Sequence, residues 1–275
     1  MKTRPLRSII TDSQSASTRA TWMAGDFGKI AKSYEAGAAD FIARLNIRPE
    51  DRVLDVACGT GNLTIPAARM GAQVTGIDIA ANLVQQAQAW ARAEGLTVTV
   101  EEGNAEYLPY AAASFDLVVT MFGAMFATRP DVVAAELLRV CRSGGRIAMA
   151  NWTPDSFIGH MLMLIANHVP STASVPSPLL WGQATVVTDR LGRGSTELCC
   201  TEQTLTFEFP FSPGATVEYF RTYYGPTLRA FATLDAAAQA TLRSQLERLW
   251  MHHNRSRTGV TQVDSTYLEV IAVRK

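Results

Sequence analysis

Apolar positions follow two alternating patterns between residues 53 and 151. Short, almost unbroken apolar runs, such as residues 53–57 (VLDVA), are typical of strands buried on both faces of a parallel sheet. Between them lie segments with apolar residues at helical spacing. In the segment 80–94, one predicted face carries Leu83, Ala87, Trp90 and Ala91. This alternation predicts an α/β fold of strand–helix–strand units.

The alternation changes after residue 151. The segment 152–182 is rich in Met and aromatic residues and ends in prolines, which indicates an insertion that covers a pocket. A strand at 198–211, helices at 213–231 and 235–253, and a last strand at 266–273 follow. We therefore expect a flexible segment 1–20, a core 21–151 with an N-terminal helix, a substrate-cover insertion 152–195, and a C-terminal part 196–275 of the same domain.

A glycine turn separates the first strand from the first helix. Gly59 and Gly61 leave the backbone open to a ligand, and the next strand ends at Asp78. The spacing of 78 − 59 = 19 residues is close to the ~20 that bring a carboxylate to a ribose in nucleotide-binding folds. The first crossover therefore predicts a nucleoside site.

Two residues argue against a dinucleotide at this turn. Thr64 occupies the position where a GxGxxG motif has its third small residue. Asp55, inside the strand, would repel a pyrophosphate but attract an ammonium group. S-adenosylmethionine (SAM) has the required cationic tail and no phosphate. An NAD-dependent oxidoreductase remains the alternative enzyme.

The same residues carry a family resemblance. Residues 55–61 (DVACGTG) match the DxxCGTG motif of class I SAM-dependent methyltransferases. Residues 102–109 (EGNAEYLP), 114–120 (SFDLVVT) and 142–146 (RSGGR) resemble the later motifs of that family, in the same order. The resemblance covers most of residues 20–152 and is closest to the type 11 branch, which includes ubiquinone/menaquinone C-methyltransferase-like proteins. It implies a Rossmann-like sheet of seven mixed strands with the last strand antiparallel, helices on both faces and a helical or loop substrate cover.

The resemblance also assigns roles to residues. It implies that Asp55 holds the methionine end of SAM, that Gly59 and Gly61 approach the cofactor, and that Asp78 binds the ribose hydroxyls. Asn104 stands where the family has an acid that accepts a hydrogen bond from adenine, and an amide oxygen can accept the same bond. Further cofactor contacts are expected at Ala57, Ile79, Ala105, Thr120, Phe122, Trp22 and Tyr34.

Aromatic residues near the predicted strand ends are candidates for the sulfonium and the acceptor. Phe126, Trp152, Phe157 and Tyr223 are expected in the substrate pocket. Methyl transfer requires positioning above all, so no catalytic residue is obligatory. If a base is used, His160 in the predicted cover is the candidate. For most of these residues, simple core packing is the competing interpretation.

Composition restricts the remaining choices. The 25 basic and 25 acidic residues cancel, so there is no overall basic field to attract nucleic acid. The four cysteines show no metal-binding spacing, Cys58 is expected to be a packing residue, and no metal is predicted. No apolar run predicts a signal peptide or a membrane span, so a cytoplasmic protein is expected.

These features together predict a SAM-dependent methyltransferase that acts on a small, apolar or aromatic molecule. A SAM-binding protein without transfer activity is the non-enzymatic alternative. The sequence leaves open whether O, N, S or C is methylated, and whether the protein is a monomer or a homodimer.

Overall fold

A single seven-stranded sheet organises the chain. The computed structural model describes residues 13–169 and 175–275, and its strands lie in the order β3-β2-β1-β4-β5-β7-β6. Strands β1 to β5 are parallel to one another, and β7 is antiparallel to both of its neighbours. Helices pack around this sheet. The predicted Rossmann-like mixed sheet with a reversed last strand is confirmed.

The strands have the following bounds: β1 Arg52–Val56, β2 Gln73–Asp78, β3 Thr99–Glu102, β4 Phe115–Met121, β5 Cys141–Trp152, β6 Ser195–Phe209 and β7 Thr261–Arg274. The helices are α1 Ser13–Met23, α2 Phe27–Ala31, α3 Glu35–Arg44, α4 Thr64–Arg69, α5 Ala81–Ala93, α6 Pro130–Val140, α7 Phe157–His168, α8 Ala184–Leu191, α9 Pro213–Tyr223, α10 Gly225–Thr233 and α11 Ala236–His253. Short 3-10 turns occupy Lys32–Tyr34, Ala124–Phe126, Pro178–Gly182 and Gly192–Gly194.

The sheet order places a crevice between β1 and β4. The chain runs outward from β1 through β2 to β3 and then returns to lay β4 on the other side of β1. Helices that follow β1 and β4 therefore diverge, and the carboxyl ends of these strands are left open. Because β1 and β4 are buried along most of their lengths, as their apolar runs predicted, the floor of this crevice is rigid.

The ends of β1 and β4 are held in strained backbone at this crevice. Ala57 and Phe122, each directly after its strand, have φ values of 58°. Such left-handed conformations are uncommon for residues with side chains and cluster at functional sites. The two strand ends also approach closely, since a Cβ added to Gly123 would lie 2.6 Å from Cβ of Ala57. Only glycine fits there.

Two predicted segments contain regular helices. Residues 13–20 of the expected N-terminal segment belong to α1, whereas residues 1–12 lie outside the described part of the chain. In the expected cover, Ser156 caps the regular helix α7, which packs on α11 and β7. Residues 170–174 of this segment lie outside the described residues. The prolines of this segment lie before residue 157 or after residue 168, so they do not interrupt the helix formed by residues 157–168.

Replacement of Gly123 by Ala tests the close approach of β1 and β4. The added methyl group would collide with Cβ and the carbonyl oxygen of Ala57, at 2.6 and 2.7 Å. We expect the free energy of unfolding to fall by about 1–3 kcal/mol in a denaturant titration, the usual cost of overpacking.

The matched control is Gly192→Ala. Gly192 has helical backbone angles, and an added Cβ would lie an ordinary 3.5 Å from Cγ2 of Thr188. This variant should be as stable as the parent or up to about 1 kcal/mol more stable, because alanine restricts the unfolded chain. Equal stability of Gly123→Ala and the parent would show that the strand ends can separate freely.

Candidate functional site

A cavity of about 920 Å³ lies at the carboxyl ends of the strands β1 to β4. Its floor comes from the segments that follow β1, β2, β3 and β4, and one wall comes from α1. The predicted cofactor residues that line it are Trp22, Tyr34, Asp55, Ala57, Gly59, Asp78, Ile79, Asn104, Ala105 and Phe122. The topology thus gathers residues that are far apart in the sequence around one space of ligand size.

Asp55 is a buried carboxylate on the wall of this cavity. Its side chain is 1% exposed, and Oδ2 accepts a hydrogen bond of 2.6 Å from the hydroxyl of Thr64. Burial raises the pKa of Asp55 to about 7; the nearby Asp78 acts in the same direction, and the bonds from Thr64 oppose it. Thr64 therefore occupies the third motif position because it orients the carboxylate. Among the described residues, no basic side chain forms an ion pair with Asp55.

Asp78 is held by backbone amides from two sides. Oδ2 accepts 2.8 Å from the amide of Gly59, and Oδ1 accepts 2.8 Å from the amide of Ala80. Burial raises its pKa to about 6, although these bonds stabilise the ionised form. Each carboxylate oxygen keeps a free lone pair, so two neighbouring hydroxyl groups can still donate to it.

The backbone amides of Gly59 and Gly61 in the glycine turn donate hydrogen bonds within the protein. The amide of Gly59 is used by Asp78, and the amide of Gly61 donates 2.9 Å to the carbonyl of Cys58. Both glycines have positive φ, and an added Cβ at Gly61 would meet Ala87 of α5 at 3.4 Å. Gly61 does not line the cavity, so its place is the packing of the turn on α5.

Asn104 links the cavity floor to α1. Its Oδ1 accepts 2.9 Å from the amide of Glu106, and its Nδ2 donates 3.3 Å to the hydroxyl of Ser15. Glu106, a third buried carboxylate of the cavity, is paired with Arg129 at 2.7 Å. The charge of Glu106 is thereby compensated, unlike that of Asp55.

Helix α1 closes the cavity, which the sequence analysis missed. Ser15, Thr18 and Trp22 line the space, and Arg19 forms an ion pair of 2.9 Å with Glu102 at the end of β3. The weak amphipathic pattern of residues 13–23 conceals this role. Trp22, already a candidate, was the one signal in the sequence.

A second chamber of about 350 Å³ adjoins the cavity and shares five aromatic residues with it. Its walls are almost entirely apolar and come from segments before β1, after β4 and β5, and from β6, α7 and α9. The lining residues are Trp22, Phe27, Ile30, Tyr34, Phe122, Phe126, Trp152, Ile158, Met161, Phe207, Phe220 and Tyr224.

The predicted substrate residues divide into two groups. Phe126 lines both spaces, and Trp152 lines the second chamber, stacked on Phe122 with ring centroids 3.6 Å apart. Phe157 instead packs against Trp250 at 4.4 Å, and Tyr223 against Tyr219 at 4.8 Å, and neither lines these spaces.

Two further aromatic residues line these spaces. Tyr224, next to the predicted Tyr223, lines the second chamber, and Phe27 lines both spaces. A shift of one residue along a helix turns a side chain by about 100°, which separates Tyr224 from Tyr223. Thr120, a predicted cofactor contact, is 1% exposed and its Oγ1 accepts from the amide of Ala124 at 3.3 Å, outside the cavity lining.

The placement of His160 disagrees with a role as base. It lines an open depression between α7 and α11, with its ring 6.1 Å from that of His253, and it lines neither the cavity nor the second chamber. Ile158 and Met161 of the same helix line the second chamber, whereas His160 lies on the part of the α7 surface that borders α11.

Cys58 lies beside the glycine turn but packs with Val84, Ala87 and Val100. Burial raises the pKa of its thiol well above the usual value, so it stays protonated and is a poor nucleophile. Its predicted packing role agrees with these contacts. In residues 13–169 and 175–275, no three His, Cys, Asp or Glu side chains are grouped so that they could hold a metal ion. The helices of the same ranges include none with the length and apolarity of a membrane span.

Comparison with known proteins identifies a matching family model and related sequences. A family model described as "Methyltransferase domain" matches residues 53–145. The protein Rv1405c of Mycobacterium tuberculosis, described as uncharacterized, is 40% identical over 235 residues, which cover 85% of each chain. The ubiquinone/menaquinone biosynthesis C-methyltransferase UbiE of Allorhizobium ampelinum is 38% identical over 119 residues, 41% of this chain and 46% of its own.

Solved structures agree on the fold. A putative methyltransferase (BH2331) from Bacillus halodurans superposes with a TM-score of 0.58 at 16% identity, covering 87% of this chain and all of its own length (100%). The matched range 53–145 contains the glycine turn, Asp78 and Asn104, which form the floor of the cavity. The chain therefore contains a methyltransferase domain over residues 53–145 and has the fold of a putative methyltransferase, in agreement with the resemblance of its glycine motif to class I SAM-dependent methyltransferases.

Proposed function

We propose that the protein transfers a methyl group from SAM to a small apolar or aromatic molecule that binds in the second chamber. The proposal rests on one observation: the cavity and the second chamber adjoin but have different linings. One is floored by the uncompensated carboxylates of Asp55 and Asp78, and the other is walled by aromatic rings. A cationic nucleoside fits the first space and an apolar acceptor the second.

The residues of the first space match the groups of SAM. Asp55, oriented by Thr64, would bind the ammonium of the methionine end. Asp78, oriented by the amides of Gly59 and Ala80, would accept from the ribose hydroxyls. Asn104 keeps one lone pair on Oδ1 for the adenine amino group. NAD fits the first space less well than SAM, because its pyrophosphate would face the buried carboxylate of Asp55.

The protein's part in the reaction would be positioning and exclusion of water. When bound, SAM supplies an electrophilic methyl group on a sulfonium. Phe122 and Trp152 are stacked at the boundary between the two spaces and would fix the plane of an acceptor ring beside it. Helix α1 and its Trp22 would keep water out. Orientation of this kind can contribute roughly 7–11 kcal/mol to a barrier.

The direct test is transfer from radiolabelled SAM to a panel of phenols, quinols, carboxylic acids and amines. We expect transfer to aromatic members of the panel. SAM binding with no transfer to any member would support a binding protein instead of an enzyme. NAD binding in the absence of SAM binding would refute the proposal.

Loss of Asp78 should weaken the cofactor strongly. In Asp78→Ala, two hydrogen bonds to a charged acceptor disappear, at about 1.5–3 kcal/mol each. Calorimetry should show SAM affinity reduced at least tenfold, with a parallel thermal melt to establish that the variant is folded. Asp116→Ala is the matched control, because Asp116 pairs with Arg52 and Arg142 at the opposite end of β4. It should bind SAM like the parent protein, and equal affinities in all three proteins would place the ribose elsewhere.

SAM affinity should fall on acidification because Asp55 must be ionised to hold an ammonium. Its pKa of about 7 in the free protein lies above the usual 3.8, so lowering the pH through 7 adds a proton that SAM binding must displace. Between pH 7.5 and 6, calorimetry should show a roughly tenfold loss of affinity with proton release. Asp55→Asn should bind weakly with little pH dependence above the pKa of Asp78, about 6. An equally steep profile in that variant would assign the titration to another group.

A further inference from the structure

Two buried tyrosines stand at the junction of the cavity and the second chamber. Tyr34, in the 3-10 turn before α3, lines both spaces, and Tyr224, between α9 and α10, lines the second chamber. They are 7% and 5% exposed. Within residues 13–169 and 175–275, neither hydroxyl has a hydrogen-bond partner, and neither oxygen is among the buried polar atoms sealed from solvent. Both hydroxyls are thus without a partner in the described residues and are not fully sealed from solvent.

Both hydroxyls remain protonated at any ordinary pH. Burial raises the pKa of Tyr34, and the neighbouring Tyr224 and Asp55 raise it further. Burial alone raises the pKa of Tyr224. Each tyrosine is therefore a hydrogen-bond donor to a ligand and not a base.

The rest of the chamber offers donors but no charge. Besides the tyrosines, its polar side-chain atoms are the indole N–H groups of Trp22 and Trp152. No Asp, Glu, His, Lys, Arg or Cys is among its lining residues in the described part of the chain. Asp55, which contributes to the raised pKa of Tyr34, lines the adjoining cavity and not the chamber.

We propose that the second chamber takes its acceptor as an oxygen anion on an aromatic or enolic ring, and that the hydroxyls of Tyr34 and Tyr224 donate hydrogen bonds to that oxygen. This inference rests on the proposed methyl transfer and names its substrate class. An acceptor that needs its proton removed would find no base here, whereas an anion finds a set of donors and an apolar wall for its ring.

The step balances without a base. A lone pair of the acceptor oxygen forms the new O–CH₃ bond while the S–CH₃ bond breaks and its electron pair stays on sulfur. The acceptor changes from an anion to a neutral ether, the sulfonium becomes a neutral thioether, and no proton moves. Two opposite charges thus disappear together in a space of low dielectric, which favours the transition state over the separated ions.

The probe is 4-nitrophenol, whose visible absorption reports whether it is ionised. The full chain is saturated with S-adenosylhomocysteine, and 4-nitrophenol is titrated against it across a range of pH. We expect binding of the phenolate, with the pKa of the bound phenol about one unit below that of the free compound. In Tyr224→Phe and Tyr34→Phe, affinity for the phenolate should fall roughly tenfold, as for loss of a hydrogen bond to a charged group.

Nitrobenzene separates lost hydrogen bonding from lost packing. It has the ring without the anionic oxygen, so its affinity should stay unchanged in both variants if the shape of the chamber is preserved. Tyr223→Phe is the matched control, because Tyr223 adjoins Tyr224 in sequence and lines neither space. This control should keep the phenolate affinity of the parent protein.

The outcomes separate this inference from the proposed function. If S-adenosylhomocysteine does not bind, the proposed function fails and the acceptor class fails with it. If it binds but 4-nitrophenol does not, or binds as the neutral phenol, the acceptor class alone is wrong. Unchanged phenolate affinity in both phenylalanine variants would also overturn the role of the two hydroxyls.

Discussion

Two buried carboxylates that pair with no basic side chain of residues 13–169 and 175–275 are the constraint on which the site depends. Asp55 and Asp78 lie at the ends of adjacent parallel strands, and burial raises the pKa of each. A folded protein keeps such groups only when hydrogen bonds orient them, here from Thr64, Gly59 and Ala80. The proposed selectivity for a cationic nucleoside rests on this charge, because an ammonium group would compensate the buried carboxylates and a diphosphate would add to their negative charge.

The backbone around these carboxylates is arranged to leave space for a ligand. The left-handed conformations of Ala57 and Phe122 lie directly after β1 and β4, where the chain enters the segments that form the cavity floor. Gly123 lets the two strand ends approach closely. These features cost stability locally and are held in place by the buried central strands, which are the most rigid part of the sheet.

The aromatic chamber has a different origin. Its walls come from segments as distant as Tyr34, Trp152 and Tyr224, which meet because the long strands β6 and β7 extend the sheet beyond β5. Phe207 of β6 packs against both Tyr34 and Trp152, at 5.8 and 5.7 Å between ring centroids. The parallel half of the sheet therefore supplies the polar floor of the cavity, and the antiparallel half supports the apolar wall of the second chamber.

The sequence by itself determined the sheet and the polar floor. Buried parallel strands are recognisable as apolar runs, and the positions of Asp55, Gly59, Asp78 and Asn104 follow directly from strand ends, since each is set by a few neighbouring residues. Tertiary structure decided the rest. Thr64 bonds to Asp55 across nine residues, α1 reaches Asn104 across 89, and Tyr224 lines the same chamber as Tyr34 although they are far apart in the sequence. Local patterns do not encode such contacts, because they depend on how whole helices pack. For the same reason, His160 and Tyr223 were assigned to a pocket that other residues of their helices line.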